Sequence, residues 1–456
     1  MTTSADKGFA YSREQFQQIV EDVLAMAKAQ GASDAGVEVS EGSGLSVSVR
    51  KGEVENVERN RDKSVGVSVY LGQRRGNASS SDFSQAALAQ TVKAAYDIAR
   101  FTAEDPAAGL PDAEDQATAA EAALDLDLFH PWVVDADTAA ELARRAEDAA
   151  FAVDKRITNS EGGSVSAQQS HFWAGNSHGF RGGYASSRHS LSVSPIAGKG
   201  RDMQRDYWYT SMRDALDMAS PEAVGRYAAE RALSRLKSRK VKTCEVPILF
   251  ESTVAAGLLG AYVQGTSGGA LYRKASFLQD SLGQTIWADH IDISEDPHLR
   301  GGKGSAPFDD EGVRTQARKV VQAGVVQGYF LSSYSARKLG LKTTGHAGGS
   351  QNLRVTSRLT QPGDHLEQML RKLGRGLFVT ELMGQGMNYV TGDYSRGAAG
   401  YWVEDGRIAF PVHEVTIAGH MRDMLRGVVA VGADSFNMGA KTIGSVLLDR
   451  MKVAGD

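Results

Sequence analysis

The sequence has 456 residues, of which 41% are hydrophobic and 23% charged, a composition typical of a globular protein of about two or three domains. The formal net charge of −4 gives no reason to expect nucleic acid or an anionic membrane surface as a partner. Because no apolar run reaches the roughly 18 residues of a membrane span, no signal-peptide pattern opens the chain, and a single cysteine excludes an internal disulfide, we expect a cytoplasmic protein.

Residues 1–110 predict a helix, an antiparallel strand meander and a second helix. Ser12 and Gln15 have the spacing of a capping box, and the apolar residues that follow recur at helical spacing. Alternating valines then predict strands, with a polar hairpin at residues 51–55. A second amphipathic helix is expected over residues 84–100, so this part predicts an N-terminal α+β domain.

A change of composition then predicts a boundary. Residues 103–127 are rich in alanine and hold eight acidic residues but no basic one, which is typical of a solvated linker. We place this linker at residues 111–130 and a central domain of helices and polar strands at residues 131–242. The strands are expected over residues 164–173, 184–197 and 201–213. Three histidines are predicted to lie on the sheet surface: His171, His178 and His189.

Residues 243–456 form the predicted C-terminal domain, which we expect to be mostly antiparallel β-structure with helices. A buried strand over residues 244–250 passes directly into a helix over residues 252–264. Farther along, residues 374–406 combine apolar runs with closely spaced glycines, and the pair Asp405-Gly406 predicts a hairpin. These patterns together predict the α+β fold class.

The charged residues of this glycine-rich stretch form the candidate site. Glu381, Asp393 and Arg396 lie among glycines, which permit positive φ angles or the close approach of another backbone. Such a setting suits a polar site on a rigid scaffold, and it also fits a tightly turned meander with charged turns. The chain has no dinucleotide-binding fingerprint, phosphate loop, nucleophile elbow or His-Glu-x-x-His motif. The residue types therefore leave both interpretations open.

Longer motifs in the C-terminal half carry a resemblance to a known family. They include Thr344-Gly-His-Ala-Gly-Gly349, Val379-Thr-Glu-Leu-Met-Gly-Gln-Gly386 and Thr391-Gly-Asp-Tyr-Ser-Arg-Gly397. Further such stretches are Ser267–Gly283, Pro307–Thr315 and Ser333–Leu341. With these motifs the chain resembles the TldD/PmbA family, in particular its PmbA, or TldE, branch. The resemblance implies a two-subunit, zinc-dependent cytoplasmic protease.

The resemblance also implies where zinc ligands would lie. In the TldD branch, two histidines on a helix and a distant cysteine hold zinc, and a glutamate acts as general base. In this chain the histidine positions hold Glu251 and Ala256, the base position holds Ser252, and the cysteine position holds Ile443. Alanine and isoleucine cannot ligate a metal. We therefore expect no catalytic residue, no metal ligand and no cofactor in this chain, with zinc in a partner subunit.

The first hypothesis is that this chain is the non-catalytic subunit of a TldD/TldE-type metalloprotease. It would form a heterodimer with a zinc-bearing TldD-like chain, complete a substrate chamber and hold extended peptides that are unfolded or small. No nucleic acid or membrane partner is expected, and a homodimer in isolation is left open. The residues expected to bind peptide or to form the interface are Glu381, Asp393, Tyr394, Arg396 and His346.

Two alternatives belong to other classes. The chain would be an autonomous metallopeptidase if His346, Asp393 and Glu381 formed an unrecognised metal site. It would be a regulatory binding protein if it acted on a topoisomerase, as the family's other name, modulator of DNA gyrase, implies. Metal analysis of the purified chain distinguishes the first alternative from the non-catalytic subunit, and the mildly acidic charge gives no support for direct DNA contact.

Overall fold

A computed structural model describes residues 8–455 and shows helices with mostly antiparallel sheets, which confirms the predicted α+β class. The chain divides into two compact units. The first runs up to Leu233 and includes Pro307–Thr315, and the second comprises Ser234–Ala306 and the chain from Gln316 onward. The four-part division expected from the sequence stays a prediction. Among the described residues, no helix is long and apolar enough to cross a membrane.

The first unit contains one eight-stranded antiparallel sheet. Its strands are β1 Asp34–Arg50, β2 Glu53–Leu71, β3 Arg74–Ser80, β4 Ile157–Asn176, β5 Arg181–Gly182, β6 Ala185–Ala197, β7 Gln204–Arg205 and β8 Trp208–Met212. Six of them follow the order β3-β2-β1-β4-β6-β7, while β5 pairs with β4 and β8 with β6. Because β1 pairs with β4, strands from the predicted N-terminal and central domains share one sheet.

Helices pack against this sheet. They are α1 Arg13–Ala29, α2 Gln85–Phe101, α3 Ala119–Ala122, α4 Ala136–Phe151 and α5 Pro221–Ser234. Helices α1, α2, α4 and α5 pack on one face of the sheet, while the short helix α3 packs with Phe172 of β4 on the other. The predicted capping box at Ser12 is present at the start of α1. Alternate side chains of β1 point to these helices, because Val39 packs in a cluster with Phe16 of α1, and Val47 packs in another with Ala143 of α4.

Three details of the first unit differ from the sequence predictions. The acidic segment is not a solvated linker, because Ala117 and Leu126 are buried and Ala117 N–H donates to the Gly312 carbonyl at 2.9 Å. The strand expected over residues 201–213 is interrupted and forms only β7 and β8. The histidines His171 and His189 are buried rather than on the surface, since strand alternation places them on the helix-covered face.

The second unit contains two six-stranded sheets. Its strands are β9 Cys244–Phe250, β10 Ile291–Glu295, β11 Arg318–Gln322, β12 Val325–Val326, β13 Leu353–Ser357, β14 Gly376–Met383, β15 Asp393–Glu404, β16 Arg407–His420, β17 Val428–Val431, β18 Phe436–Met438, β19 Lys441–Ile443 and β20 Val446–Ala454. The sheet orders are β12-β11-β10-β13-β19-β18 and β16-β15-β14-β9-β20-β17. Its helices are α6 Ser252–Gly265, α7 Gly268–Tyr272, α8 Ser333–Leu339, α9 Leu366–Leu373 and α10 Met421–Arg426.

The local predictions for this unit are confirmed. Strand β9 passes directly into α6, which contributes Leu258 and Leu259 to the main core. The Asp405-Gly406 pair joins β15 to β16, and both residues have positive φ angles, 48° and 70°. That conformation suits the two-residue hairpin turn expected of an Asp-Gly pair.

Candidate functional site

The glycine-rich stretch forms β14, a connecting loop and β15. The loop folds back on the start of β15, where the Ser395 N–H donates to the Gly386 carbonyl at 2.7 Å. A Cβ atom at Gly386 would lie 1.5 Å from the carbonyl oxygen of Ser395, so a side chain there would force the two backbones apart. This glycine therefore permits a close approach between two parts of the same chain, as its residue type predicted.

Tyr394 and Arg396 lie on one face of β15, the face that packs against the main core. The Tyr394 side chain is buried in the same cluster as Leu258 of α6, and Arg396 is partly exposed. The Tyr394 hydroxyl and the Arg396 Nε are buried, and neither has a partner with good hydrogen-bond geometry within residues 8–455, although the Arg396 guanidinium lies close enough to the hydroxyl to lower its pKa. Because unpartnered buried polar atoms are costly, both donors would gain from an acceptor brought to this place by a further molecule.

The ionisation state of Tyr394 follows from its surroundings. Burial raises the pKa of its hydroxyl to about 12, and the neighbouring guanidinium of Arg396 acts in the opposite direction. The hydroxyl is therefore protonated at neutral pH and can donate a hydrogen bond. The guanidinium of Arg396 donates only, so the pair offers donors to carbonyl or carboxylate oxygens.

Asp393 and Glu381 lie on the opposite face of the sheet from Arg396. Asp393 is exposed and accepts a hydrogen bond from the Thr391 hydroxyl at 2.6 Å, on the face away from Arg396. Glu381 pairs with the guanidinium of Arg235 at 2.5 Å. Arg235 directly follows α5 and belongs to no sequence motif, so this pairing could not be predicted from the sequence. Both carboxylates are thus engaged within the chain.

His346 belongs to a buried ionic network. Its Nε2 lies 2.8 Å from the Glu295 carboxylate, which also accepts from Arg318 Nε at 2.8 Å and from the Gln351 N–H at 2.6 Å. The other ring nitrogen of His346 lies 2.9 Å from the Thr344 hydroxyl. The His346 side chain is 1% exposed, so it fixes the surrounding loops and has no ring nitrogen available to a peptide.

The positions that correspond to the family's zinc ligands lie at the start of α6 and in β19. Glu251 precedes α6 and accepts a hydrogen bond from the Thr253 hydroxyl at 2.7 Å, while Ala256 and Ile443 are buried in the main core. No group of three or more His, Cys, Asp or Glu side chains that could hold a metal ion occurs in the part of the chain that the structure describes. These residues do not fit zinc, because apolar side chains replace two of its ligands.

Comparisons with known proteins agree with this architecture. Three domain profiles of a metallopeptidase family match the chain: PmbA/TldA metallopeptidase domain 1 at residues 35–99, the central domain at residues 129–236 and the C-terminal domain at residues 243–455. The fold and these matches therefore place the chain among the metallopeptidase-related α+β proteins. The chain belongs to the PmbA/TldD family.

Individual relatives cover almost the whole chain. Metalloprotease PmbA of Escherichia coli O157:H7 is 52% identical over 442 residues, which are 96% of this chain and 97% of the relative. A crystal structure of a putative modulator of DNA gyrase from Bacteroides thetaiotaomicron superposes with a TM-score of 0.90 at 26% identity and covers 98% of this chain and all of that one. TldE from Thermococcus kodakarensis, with a TM-score of 0.78 and 18% identity over 96% of this chain and all of that one, shares the fold.

Proposed function

We propose that this chain is the non-catalytic subunit of a TldD/TldE-type metalloprotease. The observation that carries the proposal is the absence of the family's zinc ligands. Ala256 and Ile443 stand at two of the three ligand positions, and Ser252 stands at the position of the general base. A zinc protease needs nitrogen, oxygen or sulfur ligands and a base that activates water. A family member without them can contribute to proteolysis only by binding substrate or partner.

The peptide-positioning residues that we assign to this subunit are Tyr394 and Arg396. Their unpartnered hydroxyl and Nε support this role, because an extended peptide presents carbonyl oxygens that accept hydrogen bonds from both groups. Glu381, Asp393 and His346 already bond to Arg235, Thr391 and Glu295 within the chain. We infer that these three residues hold the surrounding loops in place.

Co-purification tests the assembly directly. A tagged copy of this chain, expressed together with the zinc-bearing TldD-like chain of the same organism, is expected to retain that chain in a stoichiometric heterodimer. We expect the contact to bury more than the roughly 2,000 Å² at which obligate interfaces begin. An unrelated protein with the same tag is the control. Separate elution of the two chains, with full proteolytic activity in the TldD-like chain alone, would contradict the proposal.

The assignment of Arg396 predicts a selective loss of activity. Arg396→Ala is expected to leave the melting temperature and heterodimer formation unchanged, because no hydrogen bond from its Nε to the rest of the described chain is lost. Peptide cleavage by the complex should fall by about tenfold or more, the equivalent of about 1.4 kcal/mol of transition-state binding.

A matched variant separates this role from a general charge effect. Arg407→Ala removes an exposed arginine from β16 of the same sheet and is expected to leave cleavage unchanged. If Arg396→Ala lowers the melting temperature and cleavage falls only with the folded fraction, the residue stabilises the loop and does not position peptide. Normal melting, assembly and cleavage of several peptides would place the functional surface elsewhere.

A further inference from the structure

A cavity of about 570 Å³ opens in the first unit, between the segment that leads into α4 and the turn that precedes α5. This volume lies within the roughly 300–1,000 Å³ of pockets that bind small ligands and peptide side chains. Most of its lining is apolar, and the larger apolar side chains are Phe129, Trp132, Leu142, Leu191, Leu216 and Met218. The metalloprotease role proposed above makes no use of this cavity.

The ionisable residues that line the cavity are His130 and Asp214, and none of its lining residues is a lysine or an arginine. The Asp214 carboxylate lies 3.5 Å from Nδ1 of His130, and the Asp127 carboxylate lies 3.2 Å from Nε2 of the same ring. One oxygen of Asp214 also accepts the Leu216 N–H at 2.9 Å, which fixes the carboxylate in place. Two carboxylates beside one imidazole leave net negative charge among these three side chains, because one ring can balance at most one of them.

Two basic side chains lie next to the lining residues. The guanidinium of Arg213, beside Asp214 in sequence, donates to the carbonyls of Leu128 and Ser187 at 3.4 Å each. His189 is 1% exposed, packs its ring 5.5 Å from that of Trp132 and lies 2.8 Å from the His130 carbonyl. Burial lowers the pKa of His189 and outweighs the opposing effects of the His130 carbonyl and Asp214. Its imidazole is therefore neutral at neutral pH and adds no charge behind the apolar lining.

The rim presents an apolar side chain to water. Leu216 lines the cavity and is 90% exposed. Val133, beside Trp132 in sequence, is 99% exposed. Isolated exposed apolar residues such as Val133 are common, but Leu216 belongs to the lining of an apolar cavity, and an exposed apolar side chain at such a cavity marks a binding site. An open, apolar cavity beside two carboxylates matches a ligand that combines an apolar group with a cation.

We propose that this cavity binds an apolar peptide side chain that has a lysine or arginine within two residues of it. The peptide assignment rests on the proposed function, in which this subunit holds extended peptides. Alternate side chains of an extended peptide point the same way, so one can enter the cavity while its basic neighbour meets Asp214 and Asp127. The cavity would thus select which peptides the subunit retains.

Binding of three blocked peptides to the purified chain tests the proposal without a partner subunit. The probes are acetylated and amidated Phe-Gly-Lys, Phe-Gly-Gln and Ser-Gly-Lys, and the readout is NMR titration or the change in tryptophan fluorescence of the chain. We expect Phe-Gly-Lys to bind at least about tenfold more tightly than either of the other peptides. Equal affinity for all three peptides, or no binding by any of them, would overturn the proposal.

Two variants locate the binding and leave the fold intact. Asp214→Asn keeps the side-chain oxygen that accepts the Leu216 N–H, and it is expected to reduce Phe-Gly-Lys binding about tenfold while leaving Phe-Gly-Gln binding unchanged. Leu216→Ser should weaken both peptides, whereas Leu359→Ser, at a leucine that is 50% exposed in the second unit, should weaken neither. Unchanged Phe-Gly-Lys binding in both Asp214→Asn and Leu216→Ser would place the peptide elsewhere.

A small amine that is not a peptide tests whether the cavity requires a peptide ligand. If 2-phenylethylamine binds as tightly as Phe-Gly-Lys and competes with it, the cavity takes a small amine, and the peptide assignment is overturned. The binding assay also separates this proposal from the metalloprotease role. Cleavage by a heterodimer that responds to Arg396→Ala but not to Leu216→Ser would support that role and contradict the use of this cavity.

Discussion

Metal analysis of the purified chain is expected to find far less than one equivalent of zinc, and the chain alone is expected to cleave no unfolded peptide. Two of the three zinc-ligand positions that the family resemblance implies hold Ala256 and Ile443, which offer no lone pair to a metal. Without a metal that lowers the pKa of bound water, and with Ser252 in place of the glutamate base, hydrolysis lacks its nucleophile. Addition of the zinc-bearing TldD-like chain should produce cleavage that neither chain shows alone.

The controls of this experiment decide between the hypotheses. A chelator should abolish cleavage by the mixture, and zinc should restore it only when both chains are present. One equivalent of tightly held zinc in this chain alone, together with chelator-sensitive cleavage, would show an autonomous metallopeptidase. Cleavage by the TldD-like chain alone at the full rate of the mixture would remove any need for this subunit. Binding to a topoisomerase without effect on cleavage would favour the regulatory alternative.

Local patterns predicted much of the fold because they depend on neighbouring residues. The capping box at Ser12 and the turn at Asp405-Gly406 each depend on residues only a few positions apart, and both are present. The pairing of β1 with β4 is different, because it joins residues more than a hundred positions apart. Nothing local to either strand indicates that partner, so the sequence alone did not predict that β1 and β4 share one sheet.

The candidate site was harder to predict because one irregularity changes the direction of a side chain. Strict alternation along β14 would place Glu381 on the same face as Leu377 and Val379, towards the main core. The register shifts between Val379 and Glu381, so Thr380 is an extra residue and Glu381 turns to the other face, where it meets Arg235. A bulge of this kind depends on the partner strand and is not visible in the sequence of β14 alone.

Glu295→Gln is expected to lower the free energy of unfolding by about 3 kcal/mol, as found when one partner of a buried ion pair is removed. The Glu295 side chain is fully buried, with Arg318 and His346 each 2.8 Å from its carboxylate. Glutamine has nearly the same shape, so the change removes the charge without opening a cavity. Glu367→Gln is the matched control, because Glu367 pairs with Arg371 on the surface of α9 and should change stability by less than about 0.5 kcal/mol.

Urea unfolding at several pH values then tests whether the charge of Glu295 causes the loss of stability in Glu295→Gln. Burial alone would raise the pKa of Glu295, but the hydrogen bond and charge of His346 and the charge of Arg318 together lower it below the usual 4.5. The unfolded chain therefore takes up the proton more readily, so this stabilisation is complete above about pH 4.5 and is lost as the pH falls through the lower folded pKa. The difference in unfolding free energy between the wild type and Glu295→Gln should accordingly shrink in acid, while that of Glu367→Gln stays near zero. A loss for Glu295→Gln that is the same at every pH would show that packing, rather than the ionic network, accounts for the stability.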